Sequence, residues 1–224
     1  MSWKRLPTLS APMSLQMALD EILFDRFKQN LRSGAVLRFY HSSSPWISVG
    51  YSFKTKESLR SSELIRAHSE IPLVSRMTGG GCVLHGEDLI FSLIASCAEI
   101  PRLQSVKESY AAIHHVVKMG IGRFGMETRF YEEDEELPKG ADCFSYPVAR
   151  DLSLGNRKVA GGAQKRSEGV LLHHESIVLP RYVNSGDLAH AIQAGFEKVF
   201  NVSVELMDFD PEIYFEAERK CSTL

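Results

Sequence analysis

Apolar residues recur at helical spacing through residues 14–34, where Leu15, Leu19, Ile22, Leu23, Phe27 and Leu31 share one face. Ser14 can cap the start of this helix and Gly34 its end. Residues 35–52 change to a strand pattern and read as two short strands joined across Ser42-Ser43-Ser44-Pro45. LIFSLIAS, residues 89–96, is short and largely apolar and reads as a buried strand. A second helix is predicted from Ser105, where S-V-K-E forms a capping box with Glu108. Val106, Tyr110, Ile113 and Val117 form its inner face, and it should end near Gly120. METRFY (126–131) reads as a strand, and EEDEE (132–136) as a solvated acidic loop or edge. A hairpin is predicted over 149–160, with its turn at Leu154-Gly155-Asn156-Arg157. GVLLHHESIVL gives another strand, residues 185–200 a third helix with Leu188, Ile192, Phe196 and Val199 inward, and VSVEL a final short strand. Helices mixed with strands on short turns predict an α/β chain of the α+β type, with mixed, largely antiparallel sheets flanked by helices.

The length of 224 residues suits one large domain with a full core, so residues 1–224 are expected to form a single catalytic domain with no accessory domain. A net charge of −2 gives no whole-surface attraction to nucleic acid or anionic lipid, so neither is expected as a partner. The opening MSWKRLPTLSAPMS lacks a secretory pattern, and no apolar run approaches the roughly 18 residues of a membrane span. Cys82, Cys97, Cys143 and Cys221 form no CxxC pair, so neither a disulfide framework nor a structural zinc site is expected. Free thiols in such a chain imply a reducing cytoplasm. The pairs His114-His115 and His173-His174 cannot each chelate as a unit, because adjacent side chains diverge. Cys82 and His85 stand at C-x-x-H spacing without a second pair, and no metal ligand is assigned.

Candidate chemistry begins at Gly79-Gly80-Gly81, between Arg76 and His85. A P-loop would need a lysine that residues 79–88 lack. The G-x-G-x-x-G match GIGRFG (120–125) follows a helix instead of a strand, and reads as a helix end and loop. Two readings stay open for the triplet: a hairpin turn, or bare backbone beside a ligand whose charge Arg76 would meet. A second small-residue stretch, NRKVAGGAQKR, sets Lys158 before Gly161, Gly162 and Ala163. Cys143 lies 15 residues before Lys158 (158 − 143), and a neighbouring ammonium would favour its nucleophilic thiolate.

Together these stretches resemble the lipoate–protein ligase / octanoyltransferase superfamily, which also includes biotin protein ligases. MALDE (17–21) is similar to its N-terminal helix motif, and LRFYHSSSPWISVGY to its strand pair. SRMTGGGCVLHGEDLIFSLI resembles its R-x-[ST]-G-G-G-x-V-x-H signature, with Arg76, Gly79, Gly80, Gly81, Val83 and His85 in register. GNRKVAGGAQKR resembles G-x-K-[IV]-x-G-x-A-Q, with Lys158 as the family lysine, and LLHHESI resembles L-x-H-G-S-I, with His174 on the histidine. Gly162 stands where Ser or Asn is usual, and Glu175 where Gly is usual. The resemblance covers residues 3 to 180 and implies the biotin/lipoate ligase-like fold. It implies a tunnel for a C8 acyl chain lined by the triplet and residues 160–163, and a lysine on the acyl carbonyl.

The superfamily holds two chemistries. Ligases adenylate free lipoate with ATP and Mg²⁺. Octanoyltransferases move octanoate from acyl carrier protein through a cysteine thioester. A Cys-Phe pair ahead of the hairpin resembles the cysteine-dependent branch, which implies Cys143 and Lys158 as catalytic residues and no required cofactor. The implied partners are octanoyl-acyl carrier protein and a lipoyl-domain acceptor, either glycine cleavage H protein or the acyltransferase subunit of a 2-oxoacid dehydrogenase. His85 or His174 could serve as base. Arg150, Arg157, Lys158, Lys165 and Arg166 could form a basic rim that steers acidic partners. An ATP-dependent lipoate–protein ligase and an inactive acyl-binding module are the alternatives.

Overall fold

Residues 35–42 and 89–96 are buried along almost their whole length because each is an inner strand of a large sheet with helices on both sides. The computed structural model describes residues 2–30, 34–53, 55–132 and 140–221. In chain order the elements are β1 (Ser2–Ala11), α1 (Met13–Asn30), β2 (Ala35–Ser42), β3 (Trp46–Val49), α2 (Lys56–Ser61), α3 (Glu63–Ala67), β4 (Leu73–Ser75), β5 (Cys82–His85) and β6 (Leu89–Ser96). There follow α4 (Val106–Gly122), β7 (Arg129–Phe130), β8 (Leu152–Leu154), β9 (Arg157–Ser167), β10 (Val170–Ile177), α5 (Ser185–Phe200), β11 (Ser203–Leu206) and α6 (Pro211–Cys221).

Eight of these strands form one sheet in the order β11-β1-β2-β6-β10-β9-β8-β7, and β4-β3-β5 form a second. Only β11–β1, β1–β2 and β3–β4 pair in parallel; every other pair is antiparallel. The period of two along each inner strand separates two cores. Val36, Ile94 and Leu172 face α1 and α6, while Leu37, Leu93 and Leu171 face α4 and α5. Helix α1 therefore lies on one face of the large sheet and the α4–α5 pair on the other. Among the described residues no helix is long and apolar enough to cross a membrane.

Several predicted boundaries shift. The strands on either side of Ser42–Pro45 enter different sheets, which opens a cleft between the two. Helix α4 carries the predicted cap, with Ser105 accepting from the Glu108 N–H, but runs to Gly122. The METRFY strand shrinks to Arg129–Phe130. Leu31 and residues 133–136 of the acidic run lie outside the described residues. The sequence reading made no assignment for β1, whose polar residues and Pro7 hide it. Pro7 falls where the register with β2 shifts between Leu6 and Leu9, a place in a sheet that tolerates proline.

Candidate active site

The glycine triplet closes the β3–β5 arm of the small sheet, and its carbonyls turn inward. Arg76 is buried and donates to the carbonyls of Ser48 (3.0 Å), Gly79 and Gly81 (both 2.9 Å), and to Ser48 Oγ (2.9 Å). The triplet thus offers Arg76 two carbonyl acceptors. Gly80 has φ +87°, a left-handed conformation that glycine adopts without strain. A chain of hydrogen bonds braces Arg76 from behind. Ser48 Oγ meets His85 Nε2 at 2.7 Å, His85 Nδ1 meets Asp88 at 2.7 Å, and Ser176 Oγ donates to Asp88 at 2.7 Å. Burial opposes charge on Asp88, but His85, Ser176 and the Gly86 N–H together hold its carboxyl below its ordinary value.

Cys143 reaches this site through a backbone bridge. The Cys82 N–H donates to the Ala141 carbonyl (2.7 Å), and the Cys143 N–H to the Cys82 carbonyl (2.9 Å). Asp142 fixes the segment by accepting from Ser62 Oγ and from the Leu64 N–H (3.1 Å). Gly81 is required here, because a Cβ would lie 1.8 Å from the Ala141 oxygen. At Gly79 a Cβ would meet nothing within 4 Å. Gly81→Ala is therefore expected to lower stability by about 1–3 kcal/mol through overpacking, whereas Gly79→Ala should stay within about 0.5 kcal/mol. Urea denaturation of the two variants checks this; equal stabilities would refute the bridge.

The two cysteines near the triplet differ in kind. Cys82 is fully buried, and burial pushes its thiol up to about 11. Cys143 is half-buried on the cavity wall. The Arg76 guanidinium lies beside the Cys143 thiol: burial draws Arg76 below its ordinary value, and Cys143 works against that. The sequence reading paired Lys158 with this thiol. The structure instead places Lys158 Nζ on the Cys143 backbone carbonyl (2.9 Å) and on Asp151 Oδ2 (2.6 Å). Lys158 lies flat across β9 because Gly161 has no side chain; a Cβ there would be 2.6 Å from Nζ. Burial raises the Asp151 carboxyl above its ordinary value, and the Lys158 ammonium only partly counters it.

His174 joins the two sheets. Its Nδ1 meets Thr78 Oγ1 at 3.1 Å and its Nε2 meets Asp20 Oδ2 at 3.0 Å. Asp20 also accepts from Arg38, Tyr40 (3.1 Å) and Ser92 (2.6 Å). Its burial favours the neutral acid, yet Arg38, His174 and Ser92 hold its carboxyl down to about 2. The sequence reading noted MALDE as a motif and gave Asp20 no role. The signal was there: Gln16 and Asp20 are polar, four apart, and fully buried on a helix otherwise rich in apolar residues.

One cavity of about 290 Å³ gathers these groups. Of the predicted residues, Arg76, Gly80, Gly81, Val83, His85, Cys143, Lys158, Gly161, Gly162, Ala163 and His174 line it; Gly79 stands behind the wall and serves Arg76. Met13, Met17, Tyr40 and Ile90, which the sequence reading did not single out for this, supply an apolar end. His85 and His174 each have both ring nitrogens in hydrogen bonds to protein groups. The expected basic rim is also revised: Lys158 binds inward, and Arg166 donates to the carbonyls of Leu103, Gln104 and Ser105. The departures at 162 and 175 face each other across β9 and β10, and a Cβ on Gly162 would lie 2.5 Å from Glu175 Oε2.

The chain is similar to known proteins over most of its length. It is 33% identical over 184 residues to Octanoyltransferase LipM of Geobacillus kaustophilus, covering 79% of this chain and 65% of that relative. It is 35% identical over 195 residues to Octanoyltransferase LipM of Exiguobacterium sibiricum, covering 83% and 68%. The chain thus spans about two thirds of the length of these relatives. Among solved structures, a putative lipoate protein ligase from T. acidophilum superposes with a TM-score of 0.78 at 20% identity, over 100% of this chain and 95% of the other, and so shares the fold. Residues 12–198, which carry every candidate side chain in the cavity, match the lipoyl protein ligase A/B catalytic domain, and the chain belongs to that family.

Proposed function

We propose that the chain transfers an octanoyl group, through a thioester on Cys143, from octanoyl-acyl carrier protein to a lysine of a lipoyl-domain protein in lipoate biosynthesis. The observation that carries this reading is a half-buried cysteine on a cavity wall, beside a guanidinium, in a cavity with an apolar end. The Cys143 thiolate, beside the Arg76 guanidinium, attacks the donor thioester carbonyl. Lys158 uses two of its three N–H donors on the Cys143 carbonyl and on Asp151, leaving the third for the oxyanion of the tetrahedral intermediate. Collapse of that intermediate forms octanoyl-Cys143 and releases the carrier thiol. The acyl chain lies against Met13, Met17, Tyr40 and Ile90. The acceptor ε-amine then attacks the acyl-cysteine carbonyl, forms the amide and expels the Cys143 thiolate. That thiolate can take the amine's proton, so His85 and His174 remain braces.

The donor is already a thioester, and its conversion to an amide runs downhill without ATP. Arg76, which lines the cavity, spends its donors on four protein acceptors, which favours this route over binding a triphosphate. Mixing the protein with octanoyl-acyl carrier protein and no nucleotide should add one octanoyl mass to Cys143 in intact-protein and peptide mass spectra. An adduct that forms only with ATP and free lipoate would instead establish the ligase reading. Binding without either product would leave an acyl-binding module.

A further inference from the structure

We propose that His114 of α4 and His173 and Glu175 of β10 bind one divalent transition-metal ion, zinc foremost, beside the substrate cavity. This inference is independent of the acyl-transfer reading. The adjacent histidine pairs cannot chelate as units, but the fold brings one member of each pair to the same carboxylate. One ligand atom from each of the three residues lies within 4.8 Å of the others, and all three residues are buried.

The surrounding bonds aim the right atoms. His114 Nδ1 is 2.6 Å from the Arg150 carbonyl, which accepts only, so Nδ1 carries a proton and Nε2 is turned toward Glu175. That Nε2 lies 3.1 Å from Glu175 Oε2 but off the line of a hydrogen bond, and neither it nor Glu175 Oε1 has a hydrogen-bond partner. His173 Nε2 is 2.8 Å from Glu175 Oε2. Two imidazoles and a carboxylate are a ligand set that holds zinc with a fourth position open. Tetrahedral ligands at about 2.1 Å stand roughly 3.4 Å apart, so the 3.1 Å and 2.8 Å histidine–carboxylate separations need to widen by only about 0.3 and 0.6 Å. Gly162 leaves room for this, and Gly162 and Glu175 line the cavity, which gives the ion a way in.

Binding requires one rearrangement. Gln164 Nε2 faces His173 Nδ1 at 3.2 Å, so the proton of that ring now sits on Nε2. The ion displaces that proton; His173 then carries its proton on Nδ1, and the Gln164 amide turns its oxygen to accept it. Arg166, which loses the Gln164 oxygen, keeps the carbonyls of Leu103, Gln104 and Ser105 and Ser109 Oγ.

The test uses the full chain, stripped with chelator, and titrated with Zn²⁺ by calorimetry and with Co²⁺ by visible spectroscopy. One equivalent should bind, with the d–d bands of tetrahedral Co²⁺ and no thiolate charge-transfer band. Glu175→Gly and Gly162→Ser should each weaken binding by at least about 100-fold, and Gln164→Glu, which would accept the Nδ1 proton with a full charge, should tighten it about tenfold. Absence of a saturable site overturns the proposal. So does affinity unchanged by Glu175→Gly, or a thiolate band that disappears in Cys143→Ala and moves the ion to that cysteine. Should Glu175→Gly fail to fold, Gln164→Glu decides: unchanged or weaker affinity refutes the site.

Discussion

Replacing Cys143 with alanine is expected to lower nucleotide-free octanoyl transfer by about a thousandfold or more while leaving the melting temperature nearly unchanged. The chemistry is lost because no other thiol can take over. Cys82 is the nearest along the bridge, but it is buried and its thiol is pushed up to about 11, so the thiolate is scarce at neutral pH. The fold is spared because Cys143 is held by its backbone. Its N–H donates to Cys82 and its carbonyl accepts from Lys158, and alanine keeps both. Arg76 keeps its four acceptors on Ser48, Gly79 and Gly81. Acylation of a lipoyl domain, followed by mass spectrometry beside a thermal melt, measures both effects. A variant that stays fully active would rule out the covalent route.

Asp20→Ala should produce the largest loss of stability, about 3–5 kcal/mol, because it leaves the buried Arg38 guanidinium without its carboxylate. It also removes the Nε2 partner of His174, which braces Thr78 beside the triplet, so activity should fall with stability. The same carboxylate gives a signed pH dependence. Its folded value of about 2 lies below the ordinary 3.8, so its contribution is present above that ordinary value and is lost as pH falls toward 2. The difference corresponds to roughly 2 kcal/mol. Urea melts from pH 6 down to pH 2 should fall steeply for the natural chain and less steeply for Asp20→Asn. Parallel curves would show that Asp20 does not carry the acid limb.

Much of the site was legible in the sequence because backbone constraints write themselves as residue types. Gly81 must be glycine against the Ala141 carbonyl, and Gly161 must be glycine under Lys158, so both appear in small-residue runs that catch the eye. Inner strands β2, β6 and β10 were legible because burial on both faces leaves short runs rich in apolar residues. Strand β1 and helix α6 were not, since their contacts come from partners far along the chain. β1 lies between β2 and β11, and α6 packs on α1 through Ile213 and Ala217.

The roles of the charged groups followed a different rule. From sequence, Lys158 was the cation for the thiol, Arg76 a cation for a ligand, and Lys158 and Arg166 parts of a rim. The structure reverses these assignments: Arg76 lies beside the thiol, and Lys158 and Arg166 bind carbonyls. A long side chain can reach several ångströms in many directions, so its partner is set by three-dimensional packing and not by sequence separation. The same holds for His114, which no spacing rule connects to His173 and Glu175, themselves i and i+2 on one face of β10.

The sequence by itself determined the family, the order of the main elements and the small-residue walls, because these depend on local periodicity and on where a Cβ is forbidden. Only the tertiary structure decided which cation meets which acceptor, which cysteine is open to the cavity, and that Gly162 and Glu175 share one space. Each depends on packing between separate elements: Gly162 and Glu175 meet across the β9–β10 pair, and Cys143 meets Arg76 only where its segment docks on Cys82 of the small sheet.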